Sequence, residues 1–257
     1  MVLFITGCNS DSFLEQIGFK EQITSVIQKR NELVYIPNSD KPFTGKYQTY
    51  FPNGQKESET SFKEGKESGV AIGWYENGQK ASTTNYKDGK RNGITTVWNQ
   101  NGVKESETNY EDGKISGLTT RWYANGNKES EINYKDEDEN GLAIQWYENG
   151  NKESEITFKD GKENGLATRW YENGVRESEI NYLEGKKNGL ATEWYEDGRK
   201  ESEITYADGQ KDGLATEWFE DGRKESEIVY KNGEKGSQIN YEVEDNPKYF
   251  GPLDLGI

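Results

Sequence analysis

The residues of this chain with the most evident chemistry are carboxylates in close pairs. A Glu-Ser-Glu triplet starts at Glu57, Glu105, Glu129, Glu153, Glu177, Glu201 and Glu225. Two acids held together can divide into proton donor and base, as glycoside hydrolysis requires. That chemistry needs a shaped cleft that drives the two pKa values apart. Here the pair recurs along the chain with no copy singled out, so a carbohydrate-active enzyme serves only as a contrast. Solvated strand faces, or an acidic surface for a partner, are the simpler readings. A second acidic run, Asp136-Glu137-Asp138-Glu139-Asn140-Gly141, reads like the first half of a calcium loop. Its twelfth position should be Glu and is Tyr147, so the expectation is an acidic turn that has lost its glycine. There is no histidine and a single cysteine, Cys8. That removes His-based acid–base pairs, His-ligated zinc and an intrachain disulfide. No catalytic residue, metal or cofactor is expected.

The elements that must carry these carboxylates follow from a repeat. Asn-Gly or Asp-Gly returns every 24 residues, at Gly54, Gly78, Gly102, Gly126, Gly150, Gly174, Gly198 and Gly222. A large aromatic stands four residues earlier, as in Trp146, Trp170 and Trp194, and another eight residues later, as in Phe158, Tyr182 and Tyr206. A further glycine opens each of eight units, which together cover residues 45–236. The unit at 189–212 reads GLATEWYEDGRKESEITYADGQKD. Leu190 to Tyr195 and Lys200 to Tyr206 alternate with period two, and Asp-Gly between them is a strong hairpin signal. Each unit is therefore expected to be a β-hairpin. The fold class is all-β: an elongated single-layer antiparallel meander of about eight such repeats. Regular pairing would gather Leu190, Thr192, Trp194, Ile204 and Tyr206 on one face as a core of stacked aromatics. The other face would carry Ala191, Glu193, Tyr195, Glu201 and Glu203. A bulge would exchange part of each set.

Composition agrees with a chain whose burial comes from aromatics. Of 257 residues, 30% are hydrophobic and 31% charged, and the mean hydropathy is −1.11. Leu, Ile, Val and Phe make up about 17%, a level usual for disorder, yet there are 7 Trp and 16 Tyr. The net charge of −15 opposes nucleic-acid binding, which depends on phosphate contacts. No apolar run is long enough to span a membrane as a helix.

The pattern W-Y-E-N-G-x-K-E-S-E-I-x-Y-K-D-G-K-x-N-G resembles the MORN repeat in its longer bacterial variant, and residues 146–165, WYENGNKESEITFKDGKENG, are similar to a full copy. The segment Pro42-Phe43-Thr44-Gly45 resembles the lead-in to a first repeat. The resemblance implies a single-layer sheet that serves as an interaction module. Many bacterial members are described as antitoxin components of toxin–antitoxin or toxin–immunity systems. The shorter eukaryotic repeat often has His before its Gly, where this chain has Asn164 or Asp212, so the resemblance does not extend to a membrane-lipid role.

The ends are read separately. Ile5-Thr6-Gly7-Cys8 resembles a lipobox, so residues 1–8 are expected to be the remnant of a lipoprotein signal with Cys8 as the lipidated residue. Residues 9–44 are expected to hold a short amphipathic helix over 12–31 and a strand from Leu33 to Ile36, capping the sheet edge. Residues 237–257 would supply a closing strand, Gln238 to Val243, and a tail. The expected function is a non-enzymatic, protein-binding repeat scaffold, lipid-anchored at the bacterial cell envelope. The alternative is a cytoplasmic antitoxin or immunity protein that neutralises a cognate toxin by direct binding. The partner would be a protein, basic or toxin-like, with membrane contact only through Cys8; the oligomeric state stays open. The expected partner-binding residues are Tyr123, Glu129, Glu131, Tyr147, Glu153, Glu155, Tyr171, Glu177, Glu179, Tyr195, Glu201 and Glu203, on one acidic Glu/Tyr face.

Overall fold

Two turn types, alternating along the chain, generate the architecture. The first closes each Asn-Gly or Asp-Gly hairpin. In the copy at Tyr147, the Gly150 N–H donates to the Tyr147 carbonyl and the Tyr147 N–H to the Asn151 carbonyl, both at 2.9 Å. The Asn151 N–H also donates to Asn149 Oδ1 at 2.8 Å. Gly150 has φ 92°, where a side chain would clash with its own backbone. The second type joins one repeat to the next. Asp208 and Gly209 have φ 49° and 82°, a two-residue turn whose twist matches the strands it connects. Asp, Asn or Glu fills the first of these sites in every repeat, and a short polar side chain tolerates that left-handed conformation best. The run from Asp136 is such a turn, with Glu137 at φ 78° in the glycine's place, and Asp138 already begins the next strand.

A computed structural model describes residues 27–241. It divides into two units, Met1–Glu139 and Asn140–Ile257. In the first, a small hairpin of β1 (Gln28–Arg30) and β2 (Leu33–Tyr35) precedes a sheet of β3 (Gly45–Tyr50), β4 (Lys56–Lys63), β5 (Lys66–Glu67), β6 (Gly69–Trp74), β7 (Lys80–Lys87), β8 (Lys90–Trp98), β9 (Lys104–Glu111), β10 (Lys114–Trp122) and β11 (Lys128–Lys135). The second unit holds β12 (Asp138–Trp146), β13 (Lys152–Lys159), β14 (Lys162–Trp170), β15 (Arg176–Leu183), β16 (Lys186–Trp194), β17 (Lys200–Ala207), β18 (Gln210–Trp218), β19 (Lys224–Lys231) and β20 (Glu234–Asn240). Within each unit the ladders are antiparallel and join chain neighbours, with β5 and β6 both lying against β4. Within neither unit does the last strand return to the first, so each is an open, single-layer meander.

Two irregularities recur in the ladders. Glu193 pairs with Ser202 but Trp194 pairs with Lys200, which leaves Glu201 as an extra residue. The same shift occurs at the Trp or Tyr of all eight repeats. Further along, Ile204 pairs with Ala215 and Tyr206 with Lys211, a second bulge that contains Gly213. Gly213 has φ 121°, and a Cβ there would meet Thr205 Cβ at 3.2 Å. The glycine expected to open each repeat thus lies inside a strand.

The core differs from the expected aromatic stack. Apart from Phe43 and Phe62 at the start of the sheet, whose ring centroids are 5.8 Å apart, its buried residues are small or β-branched: Ala191, Ala215, Ile204, Ile228, Ser202 and Thr192 among them. Thr95 and Thr119 stand where later repeats have alanine, and their buried hydroxyls have no hydrogen-bond partner. The tryptophans are only partly covered. The first bulge explains this, because it puts Ile204 and Tyr206 on the face of Ala191 and separates them from Leu190, Thr192 and Trp194. The helix expected over 12–31 is corrected at its end: Gln28–Arg30 is strand, and the preceding residues, Cys8 included, lie outside the described residues. The strand β2 ends at Tyr35 and binds the sheet through the Val34 N–H to Gly65 carbonyl hydrogen bond of 2.9 Å. The closing strand starts earlier than expected, at Glu234, and the tail from 242 lies outside the described residues.

Gly150→Val should lower the melting temperature more than Asn149→Ala. The first forces a β-branched residue to positive φ, at roughly 1–3 kcal/mol; the second loses exposed hydrogen bonds worth about 1 kcal/mol. Equal shifts in thermal denaturation would contradict the turn assignment.

Candidate functional site

The registers assign every side chain to a face. Ala191 opposes Ile204 and Glu193 opposes Ser202; Leu190 opposes Thr205 and Thr192 opposes Glu203. In an unbroken strand Lys200 and Glu203, three apart, would point to opposite sides. The extra residue Glu201 reverses the parity, and Lys200 reaches Glu203 at 2.5 Å. The single Glu/Tyr face expected from the sequence is therefore split. One face, here the tyrosine face, carries Tyr195, Glu201, Glu193 and Ile204. The other, the tryptophan face, carries Leu190, Thr192, Trp194, Lys200 and Glu203.

On the tryptophan face the second glutamate of each triplet is neutralised within its own repeat. Lys128 pairs with Glu131, Lys152 with Glu155 at 2.5 Å, and Arg176 with Glu179 at 2.9 Å. Each of the cations Lys152, Arg176 and Lys200 also covers the tryptophan of the following repeat, 5.6, 5.9 and 5.7 Å from the ring centroids of Trp170, Trp194 and Trp218. An exposed cation–π contact of this kind contributes about 0.5–1 kcal/mol, and the exposed ion pair a similar or smaller amount. Glu131, Glu155, Glu179 and Glu203 thus belong to the sheet's own cross-bracing. Glu59 is the strongest case. Lys46 and Lys56 approach it at 2.7 and 2.8 Å and the Gln48 amide at 2.6 Å, and these hold its pKa down from 4.5 to about 2.

On the tyrosine face, the phenols of three tyrosines expected to bind a partner are tied to the backbone. Tyr147 Oη donates to the Trp170 carbonyl at 2.8 Å, Tyr171 to Trp194 at 2.8 Å and Tyr195 to Trp218 at 2.6 Å. Tyr75 does the same to Trp98 in the first unit, where Tyr123 stands at the equivalent position. Asn149 and Asn173 add a parallel clasp, each donating at 3.0 Å to the turn carbonyl of the next repeat, Glu172 and Glu196. In the last two repeats Asp197 and Asp221 replace that Asn and cannot donate; each binds its own Arg199 or Arg223 instead. These repeat-to-repeat bonds were not foreseen, although Tyr and Asn at fixed offsets from each Gly were the signal for them.

The first glutamates of the triplets, Glu153, Glu177 and Glu201, line the tyrosine face, and the repeat places Glu129 there too. Burial, and then the charges of Glu177 and Glu201, push the Tyr171 phenol up; Glu201 and Glu225 do so for Tyr195, and Glu153 and Glu177 for Tyr147. Open depressions on this face are lined by Tyr171, Glu177, Glu193 and Glu201 with Arg169 and Lys187, and by Tyr195, Glu201, Glu217 and Glu225. Glu193 and Glu217, which stand where an earlier repeat has Arg169, accept cross-strand hydrogen bonds from Ser202 and Ser226 at 3.1 and 3.0 Å. Among the described residues no group of three or more acids, histidines or cysteines could hold a metal ion, the acidic turn at Asp136 included. No helix among them is long and apolar enough to cross a membrane.

A family model described as "MORN repeat variant" matches residues 43–64, 67–88, 115–136, 139–160, 163–184, 187–208 and 211–232. Seven matches, each spanning one hairpin and the turn that follows it, cover more than half of the chain. The chain belongs to the MORN-repeat family. The interval between the second and third matches folds as the same hairpin, β8 with β9, although Asn99 replaces the tyrosine and accepts from Asn101 and Val103 N–H groups instead. A search of the curated proteins finds no match. The MORN sheet is a non-catalytic repeat scaffold whose fold presents braced strand surfaces.

Two outcomes follow. Tyr171→Phe keeps the ring and removes one bond to the next repeat, so it should destabilise the protein by about 1 kcal/mol in chemical denaturation; an unchanged midpoint would deny the tyrosine its structural role. Glu59 has a folded-state pKa below its unfolded value, so its contribution is complete above about pH 4.5 and disappears as pH falls through about 2. Glu59→Gln should therefore lose stability against the parent protein at pH 7 and converge with it towards pH 2.

Proposed function

We propose that this MORN-repeat protein binds a basic protein partner on its tyrosine face and acts by direct occlusion, as an antitoxin or immunity protein does with a cognate toxin. One observation carries this reading. The two glutamates of each triplet are treated differently: Glu155, Glu179 and Glu203 have lysine or arginine mates, while among the described residues Glu153, Glu177, Glu201 and Glu225 form no ion pair. A file of unmatched carboxylates, beside tyrosine rings whose hydroxyls are already satisfied, offers charge at the rim and apolar area between. That arrangement speeds encounter with a basic surface and gives salt-dependent binding. Occlusion needs only a rigid surface, which a braced sheet supplies without catalytic groups. A second reading, an envelope-anchored scaffold, rests on Ile5-Thr6-Gly7-Cys8 and requires lipidation of Cys8.

The test is capture from native cells followed by assay of the captured protein. A basic partner is expected that arrests growth when expressed alone and is silenced by co-expression of this chain. The triple variant Glu153→Gln, Glu177→Gln, Glu201→Gln should lose both capture and silencing. Retention of both by the triple variant would remove the tyrosine face from the interaction. Palmitate incorporation that is abolished in Cys8→Ala would support the anchored reading instead.

A further inference from the structure

The tyrosine face of the first unit has one interruption. Seven of the eight repeats have Tyr or Phe directly after the Trp or Tyr that marks the first bulge; the third repeat has Asn99. Asn99 turns back into its own hairpin, where its Oδ1 accepts from the Asn101 and Val103 N–H groups at 2.9 and 3.0 Å. The place that a ring takes elsewhere is therefore left vacant by the chain. The hydrogen bond that goes with the ring is missing too. Tyr75 donates to the Trp98 carbonyl at 2.7 Å and Tyr195 to the Trp218 carbonyl at 2.6 Å, whereas the corresponding Trp122 carbonyl receives no side-chain donor among the described residues.

We propose that this gap is a socket for a tyrosine side chain of the protein partner, next to basic residues of that partner, whose hydroxyl donates to the Trp122 carbonyl. The proposal rests on the reading of the tyrosine face as the partner's site and names the contact that orients the partner there. The first argument is the fit that the protein itself displays: in four other repeats its own phenol occupies this position and makes this bond. The second is charge. Lys104 and Lys128 are spent on Glu107 and Glu131, so Glu105 and Glu129, the first glutamates of the two triplets concerned, form no ion pair among the described residues. Arg121, opposite Ser106 and Ser130, has no carboxylate partner either, and can lie over an inserted ring as Arg91 lies over Tyr110, 5.1 Å from its centroid. The third is the floor. Thr108 pairs with Thr95 on one side and Thr119 on the other, where later repeats have Ile and Ala. Thr95 and Thr119 are 9% and 8% exposed and their hydroxyls have no partner, which disfavours an aliphatic occupant. The fourth is register. On a row of like repeats a partner displaced by one repeat meets the same groups; a single odd repeat makes one placement better than its neighbours.

Titration of the full chain with acetyl-Lys-Tyr-Lys-amide tests this, followed by NMR at the Tyr123 amide, whose nitrogen is bonded to the Trp122 carbonyl carbon. The peptide should shift that resonance and bind about fivefold more tightly than acetyl-Lys-Phe-Lys-amide, the worth of one neutral hydrogen bond. Asn99→Tyr, which gives the third repeat the ring of its neighbours, should abolish binding with an unchanged far-ultraviolet circular dichroism spectrum. Asn99→Ala, which adds no ring, should keep it. Absence of a shift at Tyr123, equal affinity for the two peptides, undiminished binding to Asn99→Tyr, or loss of binding in Asn99→Ala as well overturns the socket. That failure is separable from failure of the tyrosine face as a whole: capture of the native partner that is lost in the triple glutamine variant but kept in Asn99→Tyr would put the partner on this face and away from the third repeat.

Discussion

The bulge at the first glutamate of each Glu-Ser-Glu triplet is the constraint on which both faces depend. One extra residue between Lys200 and Ser202 turns a pattern that would alternate into one that sorts. It brings Lys200 to the side of Glu203 and leaves Glu201 on the side of Tyr195. Without it, the lysine could not reach a carboxylate three residues away, the tryptophan of the following repeat would lose its covering cation, and neither face would have a distinct electrostatic character. The bulge recurs in every repeat, so its consequences recur as rows.

A sheet one layer thick cannot rely on a buried core, and this one places its cohesion between neighbours. Most of the side chains that are well covered are small or β-branched, such as Ala191, Ser202, Thr192 and Ile204, because only the adjoining strands cover them. Larger groups are held by directed contacts from one repeat to the next: Tyr171 to the Trp194 carbonyl, Asn149 to the Glu172 carbonyl, Lys200 over Trp218. Each is worth about 1 kcal/mol or less, and they add along the series, as in other repeat proteins whose stability is a sum of nearest-neighbour interfaces. The same economy leaves both faces of the sheet open. Braced strands present the tyrosine face as a rigid acidic strip, while Leu166, Leu190 and Leu214 stay exposed on the opposite side.

Much of the fold was legible in the residues. The 24-residue spacing of Asn-Gly and Asp-Gly, with alternating runs on either side, is enough to place the hairpins, because those turns have few other solutions. The acidic run at Asp136 was legible for the same reason: it stands where every other repeat has its two-residue turn. The candidate site was legible only in part. Tyr147, Tyr171 and Tyr195 do share a face with Glu153, Glu177 and Glu201, but Glu155, Glu179 and Glu203 do not, and the phenols are engaged with the backbone of the next repeat. Periodicity read along one strand does not reveal a bulge, since the bulge is a property of two strands and their register.

The amino-acid sequence by itself determined the repeat, the turn chemistry, the antiparallel class and the lack of histidine. Those properties are local, set by glycine at positive φ, by alternation and by composition. Only the tertiary structure decided which side each carboxylate faces, which cations neutralise which acids, and that the leucines at one position per repeat are left exposed. The reason is geometric: a side chain's direction in a sheet changes sign with every residue, so a single unpaired residue, visible only once the strands are paired, reverses all that follows it.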